Sequence, residues 1–213
     1  MSFRRSLTFL FANCAVFAGG MAWAFRQAQP ALGTPVVSYL LSRSKNPSGH
    51  PLAAASLSVS ALFLFAAVSS LERSTVARRL VRLGCFGLLF MAVLSCFMDS
   101  LGPLHDSLAA LTLAALLLGV AFGAESLHRT ATPSGRIIIR SSHVALVFLV
   151  ALMTYSEIDA SYFDNSAWWR NLAEAEWALI AVIDAALAAI MITAERRSQI
   201  LTRSSPTHAE SSL

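Results

Sequence analysis

Six apolar stretches, each close to the thickness of a bilayer's hydrocarbon core, constrain this chain more than any other feature. They cover residues 7–25, 52–71, 80–98, 107–126, 141–158 and 173–194. A transmembrane helix needs about 20 mostly apolar residues, and it must satisfy its backbone donors and acceptors internally because lipid offers none. The pattern predicts an all-α, polytopic transmembrane bundle of six helices. Only 13% of the 213 residues are charged, against about 25% in soluble domains, and six spans leave no room for a separate soluble domain. Residues 1–197 therefore read as one transmembrane domain. The Ser-rich segment 198–213, poor in apolar residues, reads as a disordered cytoplasmic tail.

Charge sets the expected sidedness. If the N-terminus is cytoplasmic and connections alternate, the inner segments hold Arg4, Arg5, Arg73, Arg78, Arg79, Arg82, Arg129, Arg136, Arg140, Arg196, Arg197 and Arg203. The outer side holds only Arg26, Arg43, Lys45 and Arg170. This is the bias of the positive-inside rule, and it places both termini in the cytoplasm. The acids Asp99, Asp106, Glu157, Asp159, Asp164 and Glu174 fall outside. Topology explains the basic pI, so nucleic acid is excluded as a partner. Inner arginines also attract anionic lipids, but topology already accounts for their positions.

The first span has a competing reading. Arg4 and Arg5, an apolar run and Ala22-Trp23-Ala24 resemble a signal peptide with its cleavage site, yet the run exceeds the usual apolar region of about 7–15 residues. A retained helix is expected. Cys14, Cys85 and Cys96 lie within spans without a CxxC spacing, and they read as small packing residues. Almost every basic residue is Arg, and Ala and Leu abound. This usage indicates a GC-rich genome and a bacterial inner membrane.

Several spans carry polar or small residues suited to helix contacts. Asn13 and the Gly19-Gly20 pair in the first span allow interhelical hydrogen bonding and close approach. Ser56, Ser58 and Ser60 in the second span are spaced around the helix and read as packing residues. The first outer loop, residues 26–51, holds four prolines, which rule out one continuous helix. Its apolar 36–41 segment is suited to lie on the membrane or cap the bundle.

Asp184 is the sharpest chemical feature, an acid midway along the sixth span, where charge is costly and functional by default. The alternative is an Asp hydrogen-bonded to a Ser, Thr or Asn on another helix. Glu176 lies two turns earlier on roughly the same face, so the two acids would form a stripe descending from the outer surface. A second group, Asp99, His105 and Asp106, occupies the outer turn between spans three and four. Carboxylates and an imidazole there could relay protons or bind metal, while Asp106 or Ser107 would also serve as an N-cap. His50, His128 and His208 read as loop or tail residues. No HExxH, GxSxG, P-loop or GxGxxG pattern occurs, so no catalytic set, metal centre or cofactor is expected.

Three short segments carry a family resemblance. They are Thr34-Pro35-Val36-Val37-Ser38 in the first outer loop, Asp99 with His105-Asp106-Ser107-Leu108-Ala109 between spans three and four, and Glu176-Trp177 opening span six. Through them the chain resembles the DRAM/Frag/Sfk family of six-span membrane proteins, which includes autophagy modulators and GPI-anchor lipid-remodelling proteins. It departs from that family at Phe97-Met98-Asp99, where an amide and an aromatic are usual, and its first loop lacks an acid after the second proline. The resemblance implies a membrane-organising or lipid-associated role without established catalysis.

The leading expectation is a non-enzymatic integral membrane protein that organises lipid or membrane-protein partners. Its alternatives are a small proton-coupled transporter using Asp184 and Glu176, and a membrane-embedded hydrolase centred on Asp99, His105 and Asp106. Glu176, Trp177 and Asp184 complete the candidate ligand or relay residues.

Overall fold

Buried positions in the first helix recur every three or four residues, at Ser6, Leu10, Asn13, Phe17, Met21 and Ala24. That spacing gathers them on one face of an α-helix and turns the remaining residues outward. The computed structural model describes residues 3–27, 37–44, 46–70, 75–97, 102–128, 131, 133–162 and 168–203. Among these the order is α1 (Phe3–Gln27), the single turn α2 (Val37–Leu40), α3 (His50–Ala67) ending in a 3-10 turn, α4 (Thr75–Phe97), α5 (Gly102–His128), α6 (Pro133–Tyr162) and α7 (Trp168–Arg203). No strand occurs among the described residues.

Helices adjacent in sequence pack side by side: α1 on α3, α3 on α4, α4 on α5 and α6 on α7. Helix α7 also meets α5 and α1, closing a ring in which α6 leans on α7 from outside. Asn13 and Phe17 of α1 meet Asp184 and Trp177 of α7 respectively. Rising numbers on one helix thus meet falling numbers on the other, so α1 and α7 are antiparallel. The start of α1 and the end of α7 share one end of the bundle, together with the arginines of α4.

Among the described residues, five helices are long and apolar enough to cross a membrane: Phe3–Gln27, His50–Ala67, Thr75–Phe97, Ser107–His128 and Glu176–Arg196. Their outward faces are what lipid requires and water would penalise. Phe11, Leu83, Phe97 and Leu111 are each at least 60% exposed, far beyond the small apolar patches of soluble monomers. Helix α6 covers the expected fifth span and continues past it at both ends. Its first half carries Arg136, Arg140, Ser141, Ser142 and His143, and it is not among these five.

Helices extend beyond the apolar stretches because a continuing helix keeps satisfying its own backbone as it enters the headgroup layer. Helix α5 begins at Gly102, so Asp106 and Ser107 lie inside its early turns and do not cap it, correcting the sequence reading. Trp168 and Trp169 open α7 rather than belonging to a loop. Helix α7 runs to Arg203, past the expected domain limit at 197; residues 204–213 lie outside the described residues.

Small residues set the closest helix approaches. A Cβ at Gly119 of α5 would sit 2.6 Å from Val81 Cγ2 and 3.2 Å from the Ala77 carbonyl oxygen, so only glycine lets α4 and α5 meet this closely. Without a hydrophobic driving force between helices in lipid, such van der Waals contact is what holds a bundle together.

At the opposite end from the arginines, Asn46 ties the connection between α1 and α3 together. Its Nδ2 donates to the carbonyls of Ala24 and Leu40, both at 3.2 Å, and its Oδ1 accepts from Gly49 N–H at 3.0 Å. One side chain thus joins the end of α1, the end of α2 and the approach to α3. Asn46→Ala is expected to lower stability by about 1–2 kcal/mol, less than three lost bonds would sum to, because water at this end replaces some of them. Thermal unfolding of the detergent-solubilised protein measures it.

Candidate functional site

Two polar assemblies are positioned by this packing, one midway along the bundle and one at the cap that α2 forms at the end opposite the arginines. The midway assembly joins three helices. Asn13 of α1, 4% exposed, donates from Nδ2 to Asp184 Oδ1 of α7 at 3.1 Å. Cys14 Sγ donates to the other carboxylate oxygen, Oδ2, at 3.3 Å. Ser60 of α3 donates from Oγ to Asn13 Oδ1. Asn13 is the hinge of this network, since its amide accepts on one side and donates on the other. Both oxygens of Asp184 have partners, and the chain of bonds fixes the rotation of α1, α3 and α7 about their axes.

The serines of α3 divide by face. Ser60 meets Asn13 and Ser56 lies buried opposite Gly20, four residues apart and so on one side of the helix. Ser58 instead donates to its own helix, at the Ala54 carbonyl, 2.9 Å away. Spacing alone read all three as packing residues and did not single out Ser60.

At the cap, Glu176 opens the apolar part of α7. Its Oε2 accepts the Val37 backbone N–H at 2.9 Å, satisfying one of the donors left orphaned where α2 begins. Next to it, Trp177 meets Phe17 of α1 with ring centroids 5.6 Å apart. Val37, Leu40 and Leu41 are buried with Phe17, Met21 and Ala24, so the apolar loop segment caps the bundle. On the far side of the cap, His50 is buried at the start of α3, and its Nε2 lies 2.8 Å from the Ser95 carbonyl of α4. The ring N–H is the donor, because a carbonyl only accepts. His50 thus opens a helix and is not a loop residue as its sequence context suggests; Pro51, favoured in a first helical turn, is the signal for it.

Glu176 and Asp184 are two turns apart, about 12 Å along the helix. Trp177 and Ile180 pack into the apolar cluster of the cap, while Leu179 and Ile183 are buried in the main core. Apolar side chains thus fill α7 between the two acids. Asp99 lies outside the described residues, and His105 and Asp106 fall in the early turns of α5 with side chains outside the described set. Among the described residues, no three His, Cys, Asp or Glu side chains gather where they could hold a metal ion. A cavity bounded by Val120, Ala124, Ile139, His143 and Ile190 offers about 10 Å³, room for no more than one water.

Glu176→Ala is expected to speed amide exchange at Val37 by about tenfold or more, the scale of one hydrogen bond to a carboxylate. Hydrogen–deuterium exchange of the reconstituted protein reads it directly.

The fold and these assemblies define a class, a helical bundle with the spans of a multi-pass membrane protein. No family model matches the chain, and no curated protein or solved structure matches it.

Proposed function

We propose that this chain is a non-enzymatic, six-span integral membrane protein, with α6 as the remaining span and both termini cytoplasmic, which organises lipid or membrane-protein partners through its outer cap. A bacterial inner membrane is its proposed location. The observation that carries this reading is the contact between Val37 and Glu176. Each belongs to one of the segments through which the chain resembles the DRAM/Frag/Sfk family, so two segments far apart in sequence meet to build one feature, the cap. Interior polar groups support the same reading. Asn13, Cys14, Ser60 and Asp184 are engaged with one another, as parts that hold helices in register.

The carrier alternative requires a path between Glu176 and Asp184, where Trp177 and Ile180 pack into the cap's apolar cluster. In proteoliposomes, solute and proton flux is expected to stay at the background of empty vesicles for wild type and Asp184→Asn alike. Incubation with phospholipid and peptide substrates is expected to give no turnover. Turnover abolished by His105→Ala would overturn the proposal in favour of a hydrolase, and flux abolished by Asp184→Asn would overturn it in favour of a carrier.

A further inference from the structure

Arginines that only set topology extend their heads into water at the membrane surface. Arg82 does not. It lies in the second turn of α4, and its guanidinium carbon sits 4.8 Å from the centre of the Phe65 ring on α3. Its Nη2 donates to Ser69 Oγ at 3.3 Å, and that hydroxyl in turn lies 3.4 Å from the Phe65 carbonyl. Phe86, one turn further along α4, meets the Phe65 ring edge-on at 5.6 Å. The guanidinium is therefore held in place by a ring and a hydroxyl, and its Nε is buried with no hydrogen-bond partner among the described residues. A buried donor on a charged group without an acceptor is costly. Arg78 and Arg79 lie one turn away on the same side of α4, so the surroundings are strongly positive, while the exposed Phe86 and Leu83 border the same seam with apolar surface.

A fixed guanidinium with an orphaned donor, beside further positive charge and lipid-facing aromatic surface, matches an amphiphile carrying an anionic oxygen head. We propose that the seam between α3 and α4, at the arginine-rich end of the bundle, binds the phosphodiester of an anionic phospholipid, with Arg82 as its principal donor. This rests on the membrane-organising reading above and names the lipid class. The apolar border selects a lipid over free phosphate, because the acyl chains cover Phe86 and Leu83 while the headgroup meets Arg82.

The test uses full-length protein in nanodiscs of phosphatidylcholine and phosphatidylglycerol in equal amounts, with co-retained lipid read by native mass spectrometry after release into detergent. Wild type is expected to retain phosphatidylglycerol over phosphatidylcholine by about tenfold: both offer a phosphodiester, but gripping it brings the choline cation of phosphatidylcholine against the fixed guanidinium, which the neutral glycerol head avoids. Arg82→Gln removes that preference. Arg82→Lys keeps the charge but loses the planar fork, and it lowers the preference by about threefold or more; this variant carries the test if Arg82→Gln does not fold. Arg136→Gln, which removes the same charge from an exposed arginine on α6, changes the preference by less than about twofold. Equal losses in Arg136→Gln and Arg82→Gln, or a wild type without preference, would overturn the site. Displacement of the lipid by inorganic phosphate would overturn its assignment to a lipid. Retention is read without turnover or flux. Detected catalysis would therefore remove the membrane-organising reading and leave this result intact, whereas absent lipid preference would remove only this site.

Discussion

Asn13→Leu is expected to destabilise the folded bundle by about 2–4 kcal/mol, because it breaks two interhelical contacts at once and strands both partners. Ser60 loses its acceptor and Asp184 Oδ1 loses its donor, in a setting where water cannot replace them. Single interhelical hydrogen bonds in membranes are worth about 0.6–1.7 kcal/mol, so most of the effect comes from the orphaned groups. Ser60→Ala, which removes a single bond, is expected to cost about 1 kcal/mol. Combining Asn13→Leu with Asp184→Leu removes the stranded acid together with its partner, and apolar replacement of a whole buried polar pair is often neutral. The double variant should thus be more stable than Asn13→Leu alone. Reversible unfolding in mixed micelles gives all of these values. Strictly additive effects would show that the network does not couple α1 to α7.

Gly20→Val is the second large effect, about 3 kcal/mol or more, and its origin is steric. A Cβ at Gly20 overlaps the Ser56 side chain of α3 and lies 3.7 Å from its Cα. The clash involves atoms that no rotamer change removes, so α1 and α3 must separate, which also pulls Asn13 from Ser60. Its neighbour provides the contrast, since a Cβ at Gly19 meets nothing within 4 Å. Gly19→Ala is expected to be neutral or to stabilise by up to about 1 kcal/mol through helix propensity. Ser56→Gly removes the Cβ and Oγ that a side chain at position 20 strikes, so Gly20→Ala with Ser56→Gly should recover much of what Gly20→Ala loses. Absence of that rescue would mean that this contact does not set the α1–α3 distance.

These two positions show what the sequence made legible. Hydropathy located the helices because the cost of burying polar groups in lipid leaves a long, unambiguous run. Asn13, the Gly19-Gly20 pair and Asp184 stood out for the same reason, as departures from apolarity or bulk. Their partners did not stand out. Asp184 pairs with residues 171 and 170 positions away, and nothing in local periodicity specifies which helix faces which. Ser60 looked like Ser58 until the face of α3 that meets α1 was known. Helix ends were illegible for a different reason. Hydropathy marks where hydrocarbon stops, whereas backbone hydrogen bonding continues the helix beyond it, as at Gly102 in α5 and at Trp168 in α7. Asn46 and His50 sit in a proline-rich stretch whose pattern forbids a long helix but says nothing of the carbonyls these side chains reach.

Sidedness is where the proposed topology is most directly exposed to measurement. Single cysteines at Ser2, Ser48 and Ser212, in a Cys14→Ser, Cys85→Ala, Cys96→Ala background, can be treated in intact cells with a membrane-impermeant maleimide. Ser48→Cys, in the exposed connection before α3, should label at once, while Ser2→Cys and Ser212→Cys should label only after permeabilisation. Labelling of one terminus, but not the other, in intact cells would contradict an even number of crossings with both ends in the cytoplasm.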